Sequence, residues 1–198
     1  MEPKTLHILT GPTAVGKTEL SLEWAEQYDA EIVSCDSLLF YRGMNIGTAK
    51  PRADERARVP HHLIDIHQPD SAMTIADYVA RAERSVADIV TRGKRVLVTG
   101  GSGFYLKAFF GPVVDGVTVP TALREQIEAK LTNEGLASLV RELKELNPAG
   151  LGSLDRANPR RVTRALERCR ASGKTLQVVK AEFDALPGVF SEFQIKGV

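Results

Sequence analysis

Apolar and polar positions in the first half of the chain form a pattern that predicts strands separated by helices. Apolar runs of strand length stand at residues 6–9, 30–34 and 95–99. Helices are predicted after residue 18 and from the capping sequence Thr74-Ile75-Ala76-Asp77 through about Thr91. Strands that alternate with helices are typical of a parallel sheet covered by helices, so we predict an α/β fold.

The pattern changes near Pro112, where a stretch rich in Val, Gly, Asp and Pro leads into helices without strands. Helical spacing of apolar residues covers 121–132 and 136–146, and a third helix begins at Asn158-Pro159 and ends at Ser172-Gly173. The predicted organisation is an α/β core at residues 1–112 and 173–198 with a helical insertion at 113–172.

Composition narrows the class of protein. The chain has 198 residues, of which 43% are hydrophobic, enough for a substantial core. Its apolar runs are shorter than the ~20 residues of a membrane span, and its first residues do not resemble a secretion signal. We expect a cytoplasmic monomer with no membrane partner.

The strongest chemical signal is the sequence GPTAVGKT, which follows the first predicted strand and opens the first predicted helix. It fits the phosphate-binding pattern G-x-x-x-x-G-K-[ST] at every fixed position. Its residues are Gly11, Pro12, Thr13, Ala14, Val15, Gly16, Lys17 and Thr18. Backbone N–H groups of such a loop bind phosphate oxygens, Lys17 adds a positive charge, and the Thr18 hydroxyl suits a Mg²⁺ ion that bridges the phosphates. The loop alone leaves open whether the ligand is a nucleoside triphosphate or another diphosphate.

An acidic residue, Asp36, follows the predicted strand at 30–34. Ligands of open α/β sheets bind beyond the carboxyl ends of the strands, so we expect Asp36 to face the same crevice as the phosphate loop. The alternative is a structural role, because Asp is also favoured where a turn or helix begins.

Two further segments are predicted to border this crevice. Residues 41–51 have no periodicity and end in a proline, which predicts a loop over the site or a plain surface connection. Gly100-Gly101-Ser102-Gly103 follows the strand at 95–99 and forms either a second wall of the crevice or a simple tight turn.

Three histidines, His61, His62 and His67, stand close together in the sequence. Neighbouring residues of a strand point to opposite faces, so His61 and His62 are poorly placed to share a metal ion. We predict packing or loop contacts for them.

Positive charge is concentrated between residues 156 and 180, where eight basic residues accompany a single acid, Glu167. Arg160, Arg164 and Arg168 recur every four residues on one face of the predicted third helix, and Arg161 adjoins them. This excess favours contact with phosphates, and a solvated surface face is the alternative.

These features together resemble one family, the tRNA dimethylallyltransferases (tRNA isopentenylpyrophosphate transferases). The resemblance extends over most of the chain, and the block ending GTAKP together with the following HHLID is more specific than the phosphate loop. The matching segments are GPTAVGKT at 11–18, Asp36-Ser37, YRGM at 41–44 with IGTAKP at 46–51, HHLID at 61–65, GGSG at 100–103 with YLKA at 105–108, and PRRV at 159–162 with RALE at 164–167.

The resemblance implies a P-loop NTPase-like parallel sheet flanked by helices, with a helical insertion. It also implies transfer of a dimethylallyl group from dimethylallyl diphosphate to the N6 amine of the adenosine beside the anticodon of tRNA. Asp36 would then take a proton from that amine, while the loop, Lys17 and a Mg²⁺ ion on Thr18 would stabilise the leaving diphosphate. The positions implied to contact tRNA are Asp36, Ser37, Leu38, Leu39, Ser102, Arg124, Arg160, Arg161, Val162, Thr163 and Arg164.

Three other functions use parts of the same pattern. An adenine-nucleotide isopentenyltransferase, a P-loop small-molecule kinase that binds ATP, and a non-catalytic nucleotide- or tRNA-binding fragment would each retain the loop. Members of the family continue beyond the position of Val198, so we expect a C-terminally incomplete core whose last segment, residues 193–198, is an unpaired or incompletely covered strand with impaired activity.

Overall fold

The computed structural model of the chain describes residues 4–12 and 15–198, and in these residues five parallel strands form one sheet. The strand order is β3-β2-β4-β1-β5. The strands are β1 (Thr5–Thr10), β2 (Ala30–Ser34), β3 (His61–His62), β4 (Arg95–Gly100) and β5 (Gln194–Gly197). The predicted parallel α/β sheet is therefore confirmed.

The helices of the described residues are α1 (Lys17–Tyr28), α2 (Ala53–Arg58), α3 (Ile75–Thr91), α4 (Gly103–Leu106), α5 (Thr121–Glu134), α6 (Leu136–Glu145), α7 (Pro159–Ser172) and α8 (Leu176–Asp184), with a short 3₁₀ turn at Lys107–Phe109. The predicted capping box is present: Thr74 Oγ1 accepts from Asp77 N at 3.1 Å, and Asp77 Oδ2 accepts from Thr74 N at 3.2 Å. Across the described ranges, none of these helices is both long and apolar enough to cross a lipid bilayer.

The chain divides into two compact units, an α/β unit of residues 1–114 and 187–198 and a helical unit of residues 115–186. The second boundary differs from the predicted one, because residues 173–186 belong with the helices. The cause is α8, which the sequence pattern did not predict: Leu176 packs on the core of the helical unit, and its N–H donates to Asn147 Oδ1 at 2.6 Å.

The sheet of the α/β unit is covered on both faces, as near-continuous apolar strands predict. Leu6, Ile8, Val33, Val96 and Val98 face one core, which includes Tyr78, Val86 and Ile89 of α3. Leu9, Ile32 and Leu97 face the other core, which includes Leu22 and Ala25 of α1. Because side chains alternate along each strand, α1 and α3 lie on opposite faces.

The last strand, β5, pairs in parallel with β1, from Thr5 opposite Gln194 to Ile8 opposite Gly197. Of the two expectations for this segment, an unpaired strand is therefore wrong, whereas an incompletely covered strand agrees with the structure, because β5 stands at the edge of the sheet with Gln194, Lys196 and Gly197 exposed. The preceding segment is also packed, since the ring of Phe190 stacks on that of Phe109 at 4.6 Å between centroids.

The helical unit has its own core, formed by α5, α6 and α7. Asn158 caps α7 by accepting a hydrogen bond from Arg161 N at 3.2 Å, and Pro159 occupies the first turn, both as predicted. The fully buried residues at its centre are Ile127, Leu139, Leu143, Val162 and Leu166.

Candidate active site

A cleft of about 330 Å³ opens at the carboxyl ends of the strands in the α/β unit. It combines the start of α1, the end of β2, part of the 41–51 loop and the end of β4, which are the segments that the sequence predicted to meet. The lining residues are Gly16, Lys17, Thr18, Ser21, Ile32, Ser34, Asp36, Leu39, Thr48, Ala49, Pro51, His61, Ile64, Thr99 and Gly100.

The phosphate loop connects β1 directly to α1, which is the strand-loop-helix context that its motif requires. Gly16 precedes the helix with φ of 82°, a left-handed conformation that glycine adopts without steric cost. The Lys17 ammonium donates to the carbonyl oxygen of Pro12, so the side chain lies back along the loop. Thr13 and Ala14, two of the predicted phosphate-binding positions, lie outside the described residues.

Asp36 lines the cleft, and a turn fixes the direction of its side chain. Asp36 Oδ1 accepts from Leu38 N at 3.0 Å, and the Asp36 carbonyl accepts from Leu39 N at 3.2 Å. The turn role and the site role that the sequence left as alternatives are thus both compatible with this geometry. Because only Oδ1 is engaged among the described residues, Oδ2 is left to accept a proton or a hydrogen bond.

The second glycine turn packs directly against the segment that carries Asp36. A Cβ atom at Gly100 would lie 2.3 Å from the carbonyl oxygen of Cys35, so only glycine allows this approach. Ser102 then joins the two segments, since its Oγ accepts from Ser37 N at 3.0 Å and its N–H donates to the Cys35 carbonyl at 3.3 Å. The hydroxyl of Ser102, a predicted tRNA contact, is therefore also a brace for the Asp36 turn.

The 41–51 loop supplies one wall of the cleft and is held by a buried charge. Lys50, whose side chain is only 3% exposed, donates to Asp65 Oδ1 at 2.6 Å and to the Tyr41 carbonyl at 2.8 Å. Arg56 donates to Asp65 Oδ2 at 3.0 Å. Although partial burial opposes ionisation, the hydrogen bonds and charges of Lys50 and Arg56 hold the pKa of Asp65 below its ordinary value.

The two adjacent histidines face different surroundings, as the alternation of a strand predicts. His62 Nε2 is 2.6 Å from Glu31 Oε2, whereas His61 lines the cleft with Nδ1 2.7 Å from the Val59 carbonyl. A carbonyl only accepts, so Nδ1 of His61 carries the hydrogen and the neutral ring presents Nε2 as an acceptor. Desolvation by burial lowers the pKa of His61 and favours this neutral form.

Ser34 and His61 are among the polar side chains of the cleft that sequence reasoning missed. Ser34 is the last residue of β2 and precedes Asp36 by two residues, so an extended chain with period-two alternation would direct both side chains to the same side. His61 follows from the pairing of β3 with β2, in which Ile32 is opposite His61. The spacing of Ser34 and Asp36 was available in the sequence, whereas the position of His61 required the sheet register.

Six of the eight basic residues between positions 156 and 180 form ion pairs in the structure. In five of these pairs the acidic residue lies outside that range. Arg168 pairs with Asp115, Arg170 with Glu142 at 3.7 Å, and Lys174 with Glu182 at 2.6 Å. The further pairs are Arg161–Asp155 at 3.9 Å, Arg164–Glu167 at 3.0 Å and Lys180–Asp184. Among the described residues, only Arg156 and Arg160 of the eight lack an acidic group within 4.0 Å. The excess of seven positive charges in that window therefore overstates the free charge of this surface.

The predicted tRNA-contact residues of the helical unit differ in accessibility. Arg160 and Arg161 are exposed on α7 and Arg124 is exposed on α5. Val162 is 0% exposed in the core, so its side chain cannot make the contact that the resemblance implied. Thr163 is partly exposed beside it. In the α/β unit, Ser37 and Leu39 are partly buried and Leu38 is 44% exposed.

A parallel sheet with this loop at the start of α1 and a carboxylate at the end of β2 defines an α/β protein of the P-loop NTPase-like class. A family model described as IPP transferase matches residues 39–195. The chain belongs to the IPP transferase family.

The similar sequences and structures agree with this assignment. The tRNA dimethylallyltransferase of Opitutus terrae is 60% identical over 191 residues, covering 96% of this chain and 61% of the relative. That of Deinococcus radiodurans is 42% identical over 195 residues, covering 98% and 62%. A crystal structure of a eukaryotic dimethylallyltransferase acting on tRNA matches with a TM-score of 0.83 at 25% identity, covering 99% of this chain and 48% of that one.

The full-length tRNA isopentenylpyrophosphate transferase of Bacillus halodurans is 36% identical with a TM-score of 0.55, covering 87% of this chain and 57% of that one. The chain thus spans about three fifths of the length of the curated relatives from Opitutus and Deinococcus.

Proposed function

We propose that the chain catalyses transfer of a dimethylallyl group from dimethylallyl diphosphate to the N6 amine of the adenosine adjacent to the anticodon of tRNA. The observation that carries this proposal is the single cleft that contains both Lys17, beside a helix N-terminus, and Asp36. A prenyl transfer to an amine needs an anion-binding group for the leaving diphosphate and a carboxylate for the amine proton. Membership of the IPP transferase family supports the same reaction.

The reaction forms one bond and breaks one. The amine nitrogen attacks the allylic carbon of the donor, the bond from that carbon to the diphosphate oxygen breaks, and the electron pair leaves with the diphosphate. An exocyclic amine of adenine is a weak nucleophile because its lone pair is delocalised into the ring. Asp36 accepts the proton that the nitrogen must lose, and the hydrogen bond from Leu38 N keeps its carboxylate directed.

The leaving diphosphate gains negative charge as the bond breaks. The N–H groups at the start of α1 are fixed donors for that charge and stabilise the transition state without reorganisation, and the ammonium of Lys17 is a further donor. Lys17 must exchange its contact with the Pro12 carbonyl for the ligand.

The residues present suit a magnesium ion, because the hydroxyl of Thr18 is a hard oxygen donor that lines the same cleft as the carboxylate of Asp36. Thr18 would hold the ion together with phosphate oxygens of the substrate. When bound, magnesium supplies additional positive charge against the diphosphate.

The tRNA acceptor would contact the mouth of the cleft through Ser37, Leu38, Leu39 and Ser102, and the helical unit through Arg124, Arg160, Arg161, Thr163 and Arg164. We retain no role for the Val162 side chain, which is buried. The target adenosine must leave its stack to reach Asp36, as for other enzymes that act on a base.

The decisive experiment incubates the chain with labelled dimethylallyl diphosphate, Mg²⁺ and unmodified tRNA, and in parallel with AMP or ADP in place of tRNA. We expect label in tRNA alone. Label in the free nucleotide would identify an adenine-nucleotide isopentenyltransferase. Hydrolysis of ATP or phosphate transfer from it, without prenylation, would identify a kinase or ATPase, and binding without product would contradict an enzymatic role for these residues.

A further inference from the structure

One hydroxyl in the cleft is buried without a hydrogen-bond partner. Ser34 Oγ has no partner among the described residues, and Ser34 is 1% exposed at the end of β2. Buried polar groups in folded proteins are almost always hydrogen-bonded, because an unpaired group costs folding free energy. Ser34 lines the same cleft as Lys17 and Asp36, so this cost is located where a ligand would bind.

We propose that the Ser34 hydroxyl binds a phosphate oxygen of the prenyl donor, which makes Ser34 a further diphosphate-binding residue of the site. This inference rests on the proposed function, because it takes the phosphate loop to hold a diphosphate. A hydroxyl is an uncharged donor whose hydrogen bond strengthens when its acceptor is ionised, and the positively charged Lys17 in the same cleft favours an anionic ligand.

The depth of Ser34 in the cleft favours the diphosphate over the acceptor base. Ser34 ends β2 on the same face as Ile32, which is covered by α1, whereas Asp36 lies in the turn that follows β2; Asp36 is partly exposed and Ser34 is not. The residues around Ser34 are those of the inner cleft, including Ile32 in the preceding position of that face and Thr99, which is its partner on β4. The start of α1, where an anion would bind, lines the same cleft as Ser34.

An unpaired hydroxyl that is satisfied only by a ligand has opposite effects on folding and on binding. Replacing Ser34 by alanine removes the unsatisfied group from the free protein, so stability should stay equal or rise. The same replacement removes a hydrogen bond to a charged ligand, so affinity should fall. Such a trade-off is typical of residues kept for function.

Ser138 of the helical unit provides a matched control outside the cleft. It is 7% exposed, and its hydroxyl already donates to the Gly135 carbonyl at 3.0 Å. Ser138→Ala should therefore lower stability without the loss of diphosphate affinity that we expect for Ser34→Ala.

The test is calorimetric titration of inorganic pyrophosphate with Mg²⁺ into the parent chain, Ser34→Ala, Ser138→Ala and Lys17→Ala, together with thermal unfolding of each without ligand. For Ser34→Ala we expect Kd to rise by about 10- to 100-fold, the range for a hydrogen bond to a charged group, with a Tm no lower than that of the parent.

Three outcomes would overturn the inference. Parent-like affinity of Ser34→Ala, with weak binding by Lys17→Ala, would remove Ser34 and leave the loop site intact. A lower Tm of Ser34→Ala without ligand would show that its hydroxyl is already satisfied in the free protein. Failure of the parent chain to bind pyrophosphate would contradict both this inference and the diphosphate site of the proposed function.

Discussion

The cleft wall in the α/β unit and the surface of the helical unit are built in different ways. Beside the cleft, Ala49, Leu63 and Asp65 adopt left-handed backbone conformations with φ of 51°, 63° and 55°. Every non-glycine residue of the helical unit, which is described throughout its 115–186 range, avoids that conformation. Left-handed conformations are costly for residues with a Cβ and persist only where the surrounding structure enforces them.

Around the cleft, the contacts that enforce these conformations connect distant parts of the chain. Asp65 N donates to the Leu39 carbonyl at 3.0 Å, and its carboxylate accepts from Lys50 and Arg56. The helical unit instead relies on local devices, such as the Asn158 cap of α7 and the Thr175 cap of α8. Among the described residues, the left-handed non-glycine residues and the buried polar atoms without a partner all belong to the α/β unit; Ala49, Leu63, Asp65 and the Ser34 hydroxyl lie at or beside the cleft, whereas Asp29 and His7 Nδ1 do not line it.

The largest expected effect tests whether the cleft does the chemistry. Asp36→Asn keeps the shape of the side chain but removes its ability to accept a proton, so turnover should fall by about 10² to 10⁴ relative to the parent chain. The affinity for tRNA should be retained. Single-turnover prenylation and tRNA binding would be measured together, with the exposed Asp70→Asn as the control. Unchanged turnover at saturating tRNA, with weaker binding, would reassign Asp36 to positioning the acceptor.

The second test separates the charge of the cleft from the charge of the helical unit. Lys17→Ala removes a cation aimed at the leaving group, so we expect a loss of about 10²-fold in turnover, the size seen when one preorganised donor is removed. Lys144→Ala, an exposed lysine of α6, should have no such effect. Circular dichroism would confirm that both variants are folded. Equal prenyl transfer by the two variants would contradict the assignment of the loop to the diphosphate.

The third test compares close packing in the two units. Gly100→Ala places a Cβ 2.3 Å from a backbone oxygen, and we expect it to lower the free energy of unfolding by about 1–3 kcal/mol, as overpacking does. Gly116→Ala in the helical unit meets no atom within 4 Å and has no left-handed φ, so it should be neutral. Urea unfolding would measure both. Equal stability of the two variants would mean that the Cys35–Asp36 turn can move away from β4 without cost.

The smallest effect concerns the basic surface, where the paired and unpaired arginines can be distinguished. Arg156 and Arg160 have no acidic partner within reach among the described residues. Replacing both should make the fall of log affinity for tRNA with log salt less steep, by about one for each phosphate that the variant no longer neutralises. Replacing Arg168 and Arg170, which pair with Asp115 and Glu142, should change the slope less and the stability more. Identical slopes for the parent and both double variants would contradict phosphate binding through these basic residues.

The sequence predicted the elements that local rules govern. The capping box at Thr74, the Asn158-Pro159 start of α7 and the strand-loop-helix context of the phosphate motif follow from the chemistry of a few adjacent residues, and the structure has all three. The helix α8 was missed although it contains several apolar residues; it is only 9 residues long, and Val179 is its one buried residue.

The charge of α7 shows why a count along the chain is insufficient. Within residues 156–180 the sequence contains one acid, yet the fold brings Asp115 to Arg168 and Glu142 to Arg170. Ion pairs depend on distances between atoms, which sequence separation does not give.

By itself, the sequence determined the phosphate loop, the alternation of strands and helices, and the position of Asp36 at a strand end, because each depends on residue types at fixed short spacings. The tertiary structure alone decided the strand order, the glycine contact between Gly100 and Cys35, and the Lys50–Asp65 pair that holds the cleft wall. It also decided that Ser34 is buried without a partner among the described residues. Those features depend on which distant segments are packed together, and this is settled by the burial of the whole core rather than by any local pattern.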